Sequence, residues 1–140
     1  MKYLLTTVLA AAALTIPAFA QDANETPLGK EMEKVSKAIK AVNRAMADAS
    51  QKDANLAKLA DVKASFEKAL TLEPAKAKDV PAGEKAKFIA DYKASMQESL
   101  KTLEELRAAI AAGKDEDSAK AMEKLQGGKK DGHKKFKKED

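Results

Sequence analysis

Thr26-Pro27-Leu28-Gly29-Lys30-Glu31-Met32-Glu33-Lys34-Val35-Ser36-Lys37-Ala38-Ile39-Lys40-Ala41-Val42-Asn43-Arg44-Ala45-Met46 is the stretch that decides the fold. Its apolar residues Leu28, Met32, Val35, Ile39, Val42 and Met46 recur at alternating steps of four and three. On a helix of 3.6 residues per turn that spacing draws one apolar stripe, with lysine and glutamate on the remaining faces. Thr26 can cap the first turn, and Pro27 suits the first helical position, where a missing N–H leaves no bond unmade. So narrow a stripe is the seam of a bundle helix, expected to end near Ser50, and it needs partner helices to cover it.

Working outward, the rest of the chain supplies them. Heavy use of Ala, Lys, Glu and Leu with few aromatics favours helix nearly throughout. A second helix is expected from about Asp53 to Leu72, with Leu56, Leu59, Val62, Phe66 and Leu70 on one face and Asp53 or Asn55 as its cap. Pro74 and Pro81 bracket a loop, since each disfavours helix at the residue before it. A third helix, about Ala82 to Ala112, carries Ile89, Tyr92, Met96, Leu103, Leu106 and Ile110, with Phe88 and Leu100 beside them, and stops at Gly113. The acidic run Asp115 to Asp117 opens a fourth helix at the favourable end of its dipole, with Met122, Leu125, Lys129, His133 and Phe136 as its inward positions. Short connections make neighbours antiparallel, so the expected fold is all-α: an up-down-up-down antiparallel four-helix bundle. Gly127, Gly128 and Gly132 conflict with the last turns, each weakening a helix by about 1 kcal/mol relative to alanine. On composition, fraying after Gln126 and stabilisation by a further contact are equally open.

Residues 1–20 have the build of a secretory signal peptide. Lys2 precedes an apolar run from Leu4 to Ile16, and Ala18-Phe19-Ala20 is a small-x-small cleavage site. The run is too short to span a bilayer, which takes about 20 apolar residues. The expectation is an exported chain cleaved after Ala20, without membrane insertion, whose residues 21–140 form one bundle domain. There is no cysteine, which excludes disulfides, thiolate ligands and covalent haem attachment through Cys-x-x-Cys-His. Lys and Arg number 26 against 22 Asp and Glu, a formal net charge of +4, and the two signs interleave along most of the chain. That interleaving, together with export, argues against nucleic acid as a partner.

Two residues stand out. Met32 sits in the first helix, and His133, the single histidine, sits near the end of the fourth. Taken singly, Met32 reads as a packing residue and His133 as a solvated one. Taken together they are less ordinary, because antiparallel packing brings the start of the first helix and the end of the fourth to one layer of the bundle. Tyr92 and Met96, early in the third helix, belong to the same end. A thioether, an imidazole and apolar side chains are what a haem requires, and Lys129 and Lys137, about one turn either side of His133, could neutralise its propionates.

At these residues the chain resembles the cytochrome b562 family. Leu28, Met32, Val35 and Ile39 follow that family's opening pattern of a leucine, the ligand methionine and two further apolar positions. Leu125, His133 and Phe136 follow its closing pattern of a leucine eight residues before the ligand histidine and an aromatic three after it. Asp91-Tyr92 matches an Asp-aromatic pair in the third helix. The match covers Leu28–Val42 and Asp91–Phe136, and is generic over the second helix. Met96 stands in place of a second aromatic, and lysines replace arginines near the propionates.

The resemblance implies a periplasmic electron-transfer protein that holds one non-covalent haem b per chain. Met32 and His133 would be the iron ligands, and Tyr92, Met96, Lys129 and Phe136 would contact the cofactor. It implies a monomer that serves a redox partner protein whose identity the sequence does not give. Both axial positions would be filled, so the chain is not expected to be an enzyme; nor does it carry a catalytic constellation or a Gly-rich phosphate loop. The alternative class is a haem-free exported bundle acting as an interaction or stress-response module, with Met32 as core and His133 as tail.

Overall fold

The computed structural model describes residues 25–138, so the expected signal peptide lies outside the described residues. Four helices follow one another: α1 (Pro27–Ala45), α2 (Lys52–Ala69), α3 (Ala82–Ala111) and α4 (Asp115–Phe136). Single 3-10 turns, Ala49–Gln51 and Ala75–Lys78, occupy the first two connections, and there is no strand among the described residues. The bundle is antiparallel and runs up-down-up-down.

The helix ends follow from local chemistry. Thr26 Oγ1 accepts the Gly29 N–H at 3.0 Å, with Pro27 at the first helical position. Helix α1 stops at Ala45, short of the expected Ser50, because Asp48 accepts both the backbone N–H and the hydroxyl of Ser50 and organises the 3-10 turn that follows. Neither Asp53 nor Asn55 caps α2. Gln51 is its N-cap without a side-chain bond, the capping having moved upstream to Asp48, while Asn55 is buried within the helix. Helix α2 ends at Ala69 rather than Leu72. Beyond it the N–H groups of Thr71 and Leu72 take i−3 carbonyls, and Pro74 lies downstream. Gly113, at φ +67°, terminates α3: its N–H bonds to Ile110 O at 3.1 Å and the Lys114 N–H bonds to Ala109 O at 2.9 Å, a Schellman motif.

The core is made by Val35, Ile39 and Val42 of α1, Leu59, Val62 and Phe66 of α2, Tyr92, Met96, Leu103, Leu106 and Ile110 of α3, and Met122, Leu125 and Phe136 of α4. Before Tyr92, Phe88 packs against this core, while Ile89, expected in the stripe, is half-buried. Helix α4 is continuous to Phe136 despite its glycines. Lys129 and His133, expected as inward positions, are respectively half-buried and exposed. Their displacement has a structural reason. Helix α1 packs chiefly on α2, α3 on α4, and α2 on α3, whereas the seam between α1 and α4 is open.

Candidate functional site

Three short contacts run across the bundle at one end. Lys68 Nζ of α2 lies 2.6 Å from Glu31 Oε1 of α1. The Tyr92 hydroxyl of α3 donates to Ala69 O at the end of α2, at 2.8 Å. The Phe136 ring of α4 stands edge-on to Tyr92, with centroids 5.6 Å apart, and to Phe88 at 5.4 Å. Linked in order, they set residues 31, 69, 92 and 136 at one level. Met32 and His133 therefore share that end of the bundle.

A cavity of about 230 Å³ occupies the α1–α4 seam there. Met32, Leu28, Val35 and Ile39 line it from α1; His133, Lys129, Leu125, Phe136 and Lys137 line it from α4; Tyr92, Met96 and Phe66 form its floor. All six residues singled out in the sequence, Met32, Tyr92, Met96, Lys129, His133 and Phe136, thus border one cavity. Its walls are mainly apolar, and it opens to solvent along the seam.

The polar groups are few and ordered. Ser36 Oγ donates to Met32 O at 2.8 Å, a bond within α1 that spends the hydroxyl locally. Glu33, the only acidic residue lining the cavity among the described residues, is paired with Lys37 at 2.6 Å. Burial pushes the Tyr92 phenol up to about 12, so it stays a neutral donor to Ala69. His133 has an exposed outer edge, yet partial burial in the cleft, with Lys129 and Lys137 beside it, moves its pKa down from the ordinary 6.5. A neutral imidazole keeps a lone pair free for a metal. Burial and the nearby Lys40 likewise lower the pKa of Lys129. Neither Lys129 nor Lys137 has an ion-pair partner among the described residues.

Two features escaped sequence reasoning. Phe66 reaches the cavity floor from α2; counting antiparallel levels back from Ala69 would have found it, but α2 carries only a generic apolar stripe. Glu31, one residue before Met32, is buried at 4% exposure beneath Lys34 and Lys68. The lysines draw its pKa down from 4.5 to about 2. An i,i+3 Glu–Lys pair reads in sequence as ordinary solvated surface, so nothing marked it.

The donor set suits a b-type haem: one thioether and one neutral imidazole on the two walls of an apolar slot, with cations at its rim. Among the described residues no helix is long and apolar enough to cross a membrane, and no group of three or more His, Cys, Asp or Glu could hold a metal ion. No curated protein and no solved structure matches the chain. The sequence model of one family, described as cytochrome b562, matches residues 27–137, from the first residue of α1 to the residue after α4. With that match across the whole bundle, the chain belongs to the cytochrome b562 family, whose members are haem-binding electron-transfer helical bundles.

Proposed function

We propose that this protein is a periplasmic electron carrier that holds one haem b non-covalently in the α1–α4 cleft, with Met32 and His133 as the axial ligands. The observation that carries the reading is the convergence of a thioether and the chain's single histidine on one apolar cavity, from the two helices farthest apart in sequence. When bound there, haem supplies a one-electron ferric/ferrous couple. The residues do the rest. Met32 presents a soft donor that favours the reduced iron and raises the potential. His133, whose protonation is disfavoured, presents its lone pair. Phe66, Tyr92, Met96, Leu125 and Phe136 line the cavity and would exclude water from a haem held there. Lys129 and Lys137 place positive charge at the rim, where carboxylate-bearing edges would emerge. With Met32 and His133 both holding the iron, no position would be left on it for a substrate, which supports a carrier that serves a redox partner protein.

The test is optical. Mature protein titrated with haem is expected to bind one equivalent and, on reduction, to show the sharp bands of low-spin six-coordinate iron. Met32→Ala is expected to turn the iron toward high spin and lower its potential. His133→Ala is expected to weaken haem retention more, since no second imidazole exists. Wild-type spectra from both variants would sink this assignment in favour of a haem-free interaction module.

A further inference from the structure

Helix α4 buries Ser118, Ala121, Met122, Leu125 and Phe136. Continued at helical spacing, that stripe passes through Gly128 and Gly132 before it reaches Phe136. A larger apolar side chain is the ordinary occupant of such a stripe. Both glycines instead line the cavity, and Gly128 is solvent-exposed although it lies on the core-facing stripe.

Glycine in a helix usually has one of two reasons, and neither applies. The first is a backbone conformation closed to other residues, but Gly113 is the only described residue at positive φ. The second is close approach by a neighbouring element. A Cβ on Gly128 would meet nothing within 4 Å, and one on Gly132 would meet only Ser95 Oγ at 3.9 Å, an ordinary contact. The fold of this chain alone therefore asks for glycine at neither position, while helix propensity disfavours it at both. What the missing side chains leave is bare backbone of α4 bordering the cavity, close to His133 in the chain.

We infer that Gly128 and Gly132 are specificity-determining residues of the site: they strip the α4 wall to backbone so that the face of a flat macrocycle can lie against the helix. This rests on the haem reading above and deepens it. On this reading the slot takes a thin conjugated ring, and each side chain added on that wall narrows the room left for it. Lys129, between the two glycines in sequence, remains at the rim. Gly127 is also free of neighbours but does not line the cavity, so it provides the internal comparison.

The experiment compares alanine and leucine at 127, 128 and 132 in the mature protein, with two readouts: the melting temperature without haem, and the dissociation constant for haem by optical titration. Each alanine is expected to raise the haem-free melting temperature by roughly 3–5 °C, because all three remove a helix-weakening glycine. Haem affinity is expected to part company with stability. Gly127→Ala and Gly127→Leu bind as wild type, Gly128→Ala and Gly132→Ala bind about tenfold more weakly, and the leucines at 128 and 132 weaken binding further. Leucine variants at 128 and 132 that bind as tightly as Gly127→Leu would overturn the inference while leaving the haem reading intact. A fall in haem-free melting temperature for Gly128→Ala or Gly132→Ala would overturn it too, by showing that the fold itself needs those glycines. Wild-type protein that takes up no haem would overturn both.

Discussion

Lys68 holds Glu31 at 2.6 Å, which fixes α2 to α1 one residue away from the methionine that borders the cleft. Lys34 adds a second bond at 3.1 Å from the next turn of α1. The carboxylate is thus covered and paired from both sides, and its charged form is the favoured one. Folding holds its pKa at about 2 against an ordinary 4.5, so below pH 4.5 the unfolded chain takes up a proton that the folded chain resists. The sign follows: stabilisation is full above pH 4.5 and is lost as pH falls toward 2. Denaturant titrations between pH 6 and pH 2 are expected to show that acid limb, and Glu31→Gln is expected to flatten it. A variant with the wild-type acid profile would remove Glu31 from this role.

Tyr92→Phe keeps the ring contacts with Phe136 but removes the donor to Ala69 O. The Leu72 N–H still holds that carbonyl, so losing the one bond is expected to lower stability by about 0.5–1.5 kcal/mol, read from urea unfolding, with helix content unchanged. The raised phenol pKa gives a second signature. From pH 10 to about 12 the unfolded chain loses a proton that the folded one keeps, so wild-type stability falls across that window and Tyr92→Phe does not share the fall.

His133 is expected to titrate below 6.5 in haem-free protein, by NMR of its ring protons. Partial burial is the main cause, with Lys129 and Lys137 adding to it, so replacing both lysines by glutamine moves the midpoint upward without restoring it fully. A midpoint at or above 6.5 in the wild type would mean that the imidazole is not sheltered by the cleft. Because the unfolded chain protonates first, the His133 contribution to stability is present above pH 6.5 and declines below it.

The end of α4 is anchored at its tip more than along its length. Phe136 packs on Phe88 and Tyr92, Lys135 reaches Asp91 at 3.3 Å, and Lys138 reaches Asp79 at 3.1 Å. Between Leu125 and Phe136 no side chain of α4 is buried. Removing haem is expected to raise hydrogen exchange from about Gln126 onward more than elsewhere in the bundle. Phe136→Ala, which removes the anchor, is expected to cost about 3–5 kcal/mol and to raise exchange at the C-terminal end of the helix beyond the level that haem removal alone produces. Equal protection over residues 122–137 with and without haem would contradict the first expectation.

Where side-chain spacing alone determines structure, the sequence was a sufficient guide. The alternating stripe of α1, the Thr26-Pro27 start and the Gly113 stop all depend on neighbours within a turn or two, and the structure has them as read. What it did not disclose depends on contacts between helices. The Glu31–Lys68 bond joins residues 37 positions apart and leaves no local pattern. Placing Lys129 and His133 inward followed from periodicity, and failed because the facing helix does not come close enough to cover them. The three glycines read simply as weakness; only the cavity shows that two of them face it and one does not.

The open α1–α4 seam also bears on how the chain folds. Its two helix pairs, α1 with α2 and α3 with α4, are sequence neighbours joined by short connections, and α2 with α3 completes a path made of consecutive elements. Such a topology has low contact order and is expected to form quickly. The one pairing that would require closing a loop around the whole domain, first helix to last, is not among the main contacts of the bundle. If haem bridges Met32 and His133 as proposed, that long-range closure would become a late step that depends on ligand concentration, and the slowest contact in the topology would be delegated to a bimolecular event.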